Sequence, residues 1–353
     1  MSVRAGGGLS EEELEYYSRQ IVLEEMGAKS QLRLKNATVC VVGLGGLGSP
    51  LSIQLASMGV GRLRLVDRDV VEVSNLQRQY LYSVDMIGYP KVEAAASRLR
   101  RLNPFIEVEP IPSSLNVDNA KEIIGGANVV VDGLDRMAPR YALNRACVEL
   151  GIPYVFGAVL TRIGNVSTIL PGETACLECF QGGVDDASLP TCAVAGVTPS
   201  IIGIVASIQA SEAVKILLGR RPSLANRLLF CDLGDLTFEK IELARADRCP
   251  VCGTEPRSEP RPIVREQVEE ACGREGRRVF IIEPVDGMDV DLKALNRRVS
   301  ELGFDLDVEA DLGTSFSNRS GIKGSVLRSG VTILEGTGSR EEAERLRDRL
   351  LNQ

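Results

Sequence analysis

Residues 38 to 91 set out the parts of a nucleotide site in chain order. A short β-branched run, Thr38-Val-Cys-Val-Val42, meets the turn Gly43-Leu-Gly45-Gly46-Leu-Gly48. A Gly-x-Gly-x-x-Gly turn between a strand and a helix lets backbone approach a phosphate, and the free N–H groups opening the helix hold it. Asp67, about 20 residues on, stands where a ribose hydroxyl is held. On these items alone the chemistry is that of a nicotinamide oxidoreductase. Arg78 and Lys91 point elsewhere, unless they are two solvated surface cations. A bound pyrophosphate needs little beyond the helix N-terminus, whereas two extra positive charges suit a triphosphate whose leaving pyrophosphate must be stabilised.

What the chain lacks also narrows the chemistry. It has no histidine, so a Ser-His-Asp triad, a Cys-His pair or a histidine-ligated metal cannot be assembled. Reactions whose nucleophile is already ionised at neutral pH, such as a carboxylate, survive that exclusion because they need no general base. Cys176-Leu-Glu-Cys179 and Cys249-Pro-Val-Cys252 are two Cys-x-x-Cys knuckles with 69 residues between them. Two knuckles supply four thiolates, a closed tetrahedral set for structural Zn²⁺ with no open position for catalysis. A redox pair or unrelated core cysteines are the other ways to read them.

The stretch Tyr16-Tyr17-Ser18-Arg19-Gln20, the glycine turn, Asp67-Arg68-Asp69, Ser74-Asn75-Leu76-Gln77-Arg78-Gln79 and Pro90-Lys91 together resemble the MoeB/ThiF/HesA family. That family is the prokaryotic branch of the ubiquitin-activating enzyme superfamily. The likeness continues through Val131-Asp132-Gly-Leu-Asp135, Arg140, Asn144 and Gln209-Ala-Ser-Glu212-Ala-Val-Lys215, covering about residues 10 to 253. It implies attack of a small ubiquitin-like sulfur carrier's C-terminal glycine carboxylate on the α-phosphate of ATP. The products are an acyl-adenylate and pyrophosphate. By the same resemblance Gly43, Gly45, Gly46 and Gly48 cradle phosphates, with Gly46 allowing the close approach. Asp67 holds the ribose, and Asp69, Ser74 and Asn75 line the same edge. Arg78 and Lys91 neutralise phosphates, and Asp135 contacts Mg²⁺ and the transition state. The other reading of Asp135 is an N-cap of the helix containing Arg140. Arg19 reaches the partner subunit's ATP, implying a homodimer, or else is an exposed helix arginine. Cys192 takes the carrier as a thioester or persulfide adduct, or else is a packed loop cysteine. The family usually has Asn after the catalytic Asp, and this chain has Arg136, a cation that could touch phosphate or move Mg²⁺. A non-catalytic nucleotide-binding scaffold of the same fold is the alternative, with Arg136 as its sign.

These residues need a frame, and the pattern supplies one. Strands at Val39–Val42, Arg62–Val66, Ile106–Ile111, Val129–Asp132 and Tyr154–Ala158 alternate with helices at Gly48 onward, Lys91–Leu102, Asn116–Ile124 and Arg140–Leu150. That alternation predicts an α/β fold, a doubly wound, Rossmann-like, mostly parallel sheet with a zinc staple. The glycine turn, Asp67 and Asp135 then fall at strand C-termini, the ligand-binding edge. Thr161–Leu170 has antiparallel character, Glu11–Met26 reads as one helix behind Ser10, and Ile201–Leu218 as a long buried helix. Residues 1–10 read as a flexible tail, 11–253 as the adenylyltransferase domain, and 254–262 as a proline-rich linker. Residues 263–353 read as a small, separable α+β module with no recognised motif. Its expected elements are helices at Val264–Arg274, Asp291–Leu302 and Ser339–Leu351, a strand at Arg278–Glu283, and further strands through Lys323–Leu334. A chain ending near Gly253 keeps every nucleotide and zinc residue.

At 353 residues there is room for about two domains. The net charge of −7 argues against nucleic-acid binding and against adhesion to anionic lipid. Nine cysteines, an odd number, and no secretory pattern at Met1 to Gly8 predict a reducing, cytoplasmic setting. The resemblance also leaves room for a separate sulfur donor.

Overall fold

The computed structural model describes residues 8–186, 195–272, 278–285 and 287–351. Eight strands form the larger sheet: β1 (Thr38–Val42), β2 (Arg62–Val66), β3 (Glu107–Ile111), β4 (Val129–Asp132), β5 (Tyr154–Leu160), β6 (Ile163–Ile169), β7 (Arg227–Asp232) and β8 (Thr237–Glu242). Their order is β3-β2-β1-β4-β5-β6-β7-β8. The first five are parallel, and β6 to β8 extend the sheet in antiparallel register. The order reverses between β1 and β4, which makes a crevice at the C-terminal ends of those strands.

β1 shows why such strands read as unbroken apolar runs. Val39 and Val41 enter the core on one face, against Leu51, Leu55, Val92, Ile202 and Val205. Cys40 and Val42 enter the core on the other, against Ile124, Leu143, Ala146 and Phe156. Successive side chains alternate across a pleat, so a sheet covered on both sides must be apolar at every position.

The helix Pro199–Leu217 is the one described helix long and apolar enough to cross a membrane, yet half of it is buried. Its Gln209 donates to the Asp132 carbonyl at 2.8 Å. Glu212 accepts from Thr168 Oγ1 at 3.0 Å and from the backbone N–H of Leu224 at 2.7 Å. These bonds lock it to the sheet as a core helix. The predicted helix over Glu11–Met26 breaks into Glu11–Tyr16 and Ser18–Ile21. Ser10 caps the first piece in a capping box with Glu13. Residues 1–7 of the expected tail lie outside the described residues.

Beyond the linker, six strands form a second, antiparallel sheet of order β11-β12-β13-β14-β10-β9: β9 (Val268–Cys272), β10 (Arg278–Ile282), β11 (Asp305–Glu309), β12 (Gly313–Ser317), β13 (Lys323–Leu327) and β14 (Thr332–Glu335). Helices Leu292–Glu301 and Arg340–Leu351 pack with it around Phe280, Leu295, Phe316 and Leu346. The helix expected over Val264–Arg274 is instead an extended lead into β9. Glu, Gln, Arg and Ala favour a helix there, but pairing with β10, Val268 opposite Ile282 and Cys272 opposite Arg278, overrides local propensity.

The module is not held by the linker alone. Glu93, two residues past Lys91, accepts backbone N–H bonds from Asp311 and Leu312 at 3.1 and 2.8 Å. Ser315 donates to the Gly88 carbonyl at 2.6 Å, and Arg265 pairs with Asp118 at 2.8 Å. Its sheet therefore sits against the crevice end of the larger one.

Candidate active site at the strand C-termini

The glycine turn is shaped by close backbone contact. Gly43 has φ +89°, and a Cβ there would lie 2.6 Å from the Gly133 backbone of the β4 loop. A Cβ on Gly48 would lie 1.8 Å from the Gly43 carbonyl. These two glycines are demanded by the fold itself. Gly46 faces the flexible tip of Ile202, 2.9 Å from a Cβ, so the close approach assigned to it has a packing cause as well. Gly45 is different: only Gln79 Nε2, at 3.9 Å, comes near. Its open space, rather than that of Gly46, faces away from the packed turn. The helix Gly48–Ser57 that follows has no side-chain cap, which leaves its first N–H groups as an anion site.

Asp67 is woven into this loop. One carboxylate oxygen accepts from Leu44 N at 2.6 Å and the other from Asp69 N at 2.8 Å. Burial pushes its pKa up to about 6; Lys91 pulls it down, Asp69 raises it and the two backbone bonds lower it. Buried Lys91 donates to Asp69 at 2.8 Å. That pair holds Asp69 below the usual carboxylate range, against the desolvation that would raise it. A carboxylate with raised pKa binds its proton more tightly in the folded than in the unfolded chain. Its contribution therefore falls as pH rises from the unfolded value toward 6, and the ionised form is held at a cost. Only that form keeps both oxygens purely as acceptors, for the N–H groups of Leu44 and Asp69 and for a ribose hydroxyl. ATP binding should accordingly weaken as pH drops through about 6, and Asp67→Asn should bind weakly with that step flattened. Calorimetric titration between pH 5 and 8 checks this; an unchanged step in the variant would assign it to another group.

Arg78 is half-buried and donates to the Ser74 carbonyl at 2.7 Å. Asn75 is buried, and its Oδ1 accepts from Glu72 N at 3.1 Å; Ser74 Oγ donates to Glu72 at 3.0 Å. These bonds shape the crossover that lays Gln79 beside Gly45. Gln79 is buried, and its side-chain oxygen has no hydrogen-bond partner among the described residues. A buried orphan acceptor beside an uncrowded glycine fits a bound polar ligand. The motif contained Gln79, but nothing in its spacing marked it.

Asp135 lies beyond β4 and is exposed. It does not cap the following helix. Helix Met137–Leu150 begins at Arg136 without a cap from its own N-cap side chain. Asp186 supplies the acceptors instead, taking Met137 N at 2.6 Å and Ala138 N at 3.0 Å. No hydrogen bond from a described residue holds the Asp135 carboxylate. The fully buried Asp132 is the structural acid of the loop. It accepts from Arg140 at 3.0 Å, Tyr154 at 2.6 Å and Leu134 N at 2.8 Å. Arg140 also donates to the Leu134 carbonyl at 2.5 Å and stacks over Phe156. Asn144 accepts from Leu177 N at 3.0 Å. These bonds fix where Asp135 emerges.

The structure thus brings the glycine turn, Asp67, Asp69, Lys91, the Ser74–Gln79 crossover and the Asp135 loop to one edge. Arg19 does not join them. It is exposed on helix Ser18–Ile21, whose Gln20 donates to the Met58 carbonyl past the C-terminal end of helix Gly48–Ser57. A helix length of about 15 Å separates that end from the glycine turn. Cys192 lies outside the described residues. An open groove of about 780 Å³ lined by Lys29, Arg33, Asn128 and Gly219 lies at the opposite end of the strands, ahead of β1 and β4, and contains no candidate residue.

The four knuckle cysteines converge. Sγ–Sγ separations are 3.9 Å for Cys176–Cys179, 3.7 Å for Cys176–Cys249 and 3.4 Å for Cys179–Cys252. All four sulfurs lie within 4.8 Å of one another. A tetrahedron with Zn–S bonds of 2.3 Å has edges of about 3.8 Å, so the donor set fits zinc.

Comparison with known proteins agrees with this geometry. The family model for the ThiF family matches residues 17–251. The SAMP-activating enzyme E1 of Haloferax volcanii is 44% identical over 242 residues, covering 68% of this chain and 89% of that protein. The sulfur carrier protein adenylyltransferase of Thermus thermophilus is 44% identical over 253 residues, covering 70% and 93%. The adenylyltransferase and sulfurtransferase MOCS3 of Sus scrofa is 41% identical over 250 residues, covering 70% of this chain and 55% of that longer protein. Among solved structures, E. coli MccB with ATP aligns at 27% identity and TM-score 0.60, covering 67% of this chain and 74% of that one. The family match stops at Val251, ahead of the second sheet.

Proposed function

Given that the chain belongs to the ThiF family, we propose that it is an adenylyltransferase that uses ATP to activate the C-terminal glycine of a small ubiquitin-like sulfur carrier ending in Gly-Gly. One observation carries this reading: glycine turn, ribose acid, buried lysine and exposed Asp135 share the strand C-terminal edge. The two relatives at 44% identity, one named for SAMP activation and one for sulfur carrier adenylylation, match across that whole region. A carboxylate oxygen of the carrier attacks the α-phosphorus, the bond to the bridging α–β oxygen breaks, and pyrophosphate leaves. No base is needed, since the carboxylate enters ionised.

The chain's own groups divide the work. The glycine turn and the first N–H groups of Gly48–Ser57 hold phosphate oxygens, and Asp67 orients the ribose. Lys91 and Arg78 offset charge on the leaving pyrophosphate. Mg²⁺, when bound, neutralises phosphate oxygens, and Asp135 would hold it. Cys176, Cys179, Cys249 and Cys252 would hold Zn²⁺ as a structural ion. Arg19, too far from its own glycine turn, serves the site of a second copy in a homodimer. A separate protein donates the sulfur, and the setting is the cytoplasm, without nucleic acid or membrane as partner.

The test is ATP–pyrophosphate exchange with a panel of carriers ending in Gly-Gly. Carrier-dependent exchange is expected; nucleotide binding without exchange would leave a scaffold. Cys192 takes the carrier from its adenylate with release of AMP. Cys192→Ala should therefore keep exchange and lose sulfur transfer. Undiminished transfer would make Cys192 structural and end the activity at the adenylate.

A further inference from the structure

Glu269, in β9 of the second sheet, touches cations from two different loops of the first. Arg68 donates to it at 2.6 Å, and Arg136 forms an ion pair with the same Oε2. Arg68 follows β2 and Arg136 follows β4; the two strands flank β1 and its glycine turn. Two strand spacings are about 10 Å, so one carboxylate spans the crevice mouth from side to side. All three side chains are largely shielded, with 17%, 22% and 33% exposure for Glu269, Arg68 and Arg136.

The two arginines depend on it unequally. Arg68 keeps a second partner, Glu283, at 3.1 Å. Among the described residues Arg136 has only looser ones, Asp186 at 3.8 Å and Glu266 at 4.0 Å. Asp186 is already committed to the helix N-terminus. Arg136 is also the immediate neighbour of Asp135, whose carboxylate has no hydrogen bond of its own among the described residues. Without Glu269, the Arg136 guanidinium is left with Glu266, exposed and 4.0 Å away, and with its backbone neighbour Asp135 as a carboxylate to turn to.

We infer that the C-terminal module is a working wall of the nucleotide crevice, and that Glu269 is a positioning residue that holds Arg136 off Asp135. This deepens the adenylation reading and rests on it for the role of Asp135. The module is then one half of a charge arrangement whose other half follows β4. Arg136 is the extra cation noted in the sequence, and here it is neutralised from outside the family-matched region.

The experiment compares Mg·ATP binding by titration calorimetry in the full chain and in Glu269→Gln, Arg136→Gln and the double variant. A unit charge freed beside a metal-binding carboxylate in a partly solvated crevice weakens binding by about tenfold in Glu269→Gln. Arg136→Gln should bind like the parent, and adding it to Glu269→Gln should restore affinity to within about threefold. Arg68→Gln, which leaves Arg136 free, should not restore it. Binding within twofold of the parent in Glu269→Gln, or no recovery in the double variant, overturns the proposal. Should Glu269→Gln fail to fold, the charge-balanced double variant decides: affinity equal to Arg136→Gln supports the proposal, and tenfold weaker binding refutes it. Calorimetry needs no carrier, so a chain that binds Mg·ATP but exchanges no pyrophosphate would sink the adenylation reading and still give an answer for Glu269.

Discussion

Asp135→Ala should abolish pyrophosphate exchange and leave the fold and its melting temperature unchanged. The two halves of that expectation have separate physical grounds. The fold is indifferent because Asp135 is exposed, caps nothing and receives no hydrogen bond from a described residue. The helix behind it is capped by Asp186, and the loop is fixed by Asp132, Arg140 and Tyr154. Activity should collapse because an uncommitted carboxylate on the loop whose backbone packs against Gly43 is where the charge of a metal nucleotide is met. Losing one such group costs about 100-fold or more. Retention of more than about a tenth of the parent rate, a barrier change under about 1.4 kcal/mol, would remove Asp135 from the mechanism. The contrast with Asp132, three residues earlier, is sharp. That acid is fully buried against Arg140, and its loss should appear in stability before it appears in rate.

The second large effect belongs to the metal. Freshly purified protein should contain one zinc per chain, and chelation should lower the melting temperature before a catalytic defect appears. Cys176, Cys249 and Cys252 are buried in the core cluster that includes Ile169, Leu177 and Phe156. The first knuckle is pinned to helix Met137–Leu150 through Leu177 N to Asn144 and a bidentate Arg145–Glu178 pair at 2.8 and 3.0 Å. Four uncoordinated thiols at 3.4 to 3.9 Å would stabilise little by comparison, since binding to such sets in small zinc peptides is worth about 10–16 kcal/mol. Metal analysis with calorimetry checks this. No zinc and four freely titrating thiols would defeat it.

What the sequence disclosed follows the range of the forces involved. The glycine turn and the knuckles are local patterns: each places its atoms through the geometry of one turn, so spacing alone reveals them. The parallel sheet was legible because burial on both faces imposes apolar runs such as Val129–Asp132. The breaks came where distant partners decide. β9 carries helix-forming residues and becomes a strand because β10 pairs with it. Asp186 caps a helix that begins 49 residues earlier, between Arg136 and Met137. Glu269 reaches an arginine 201 positions away. No window of periodicity spans such distances. In the sequence Arg136 is only an unexplained charge, because its partner Glu269 lies in a module with no motif. Gln79 lies inside the Ser74–Gln79 motif, yet its significance is a buried oxygen unpaired among the described residues, which only packing reveals.

The knuckle geometry also constrains the order of events during folding. Cys176 and Cys249 lie 73 positions apart, and the chain between them contains helix Pro199–Leu217 and the β7–β8 hairpin. Closing a loop of that length before it is structured costs about 4 kcal/mol in chain entropy. A nascent chain offers the first Cys-x-x-Cys long before the second, and half a site lacks two of the four thiolates. A metal held by all four is therefore captured late, after the long helix has docked and β6 to β8 have paired. Metal uptake then acts as a kinetic checkpoint: chelator present during refolding should accumulate a species with a formed parallel sheet and loose antiparallel strands, released by zinc in a single step.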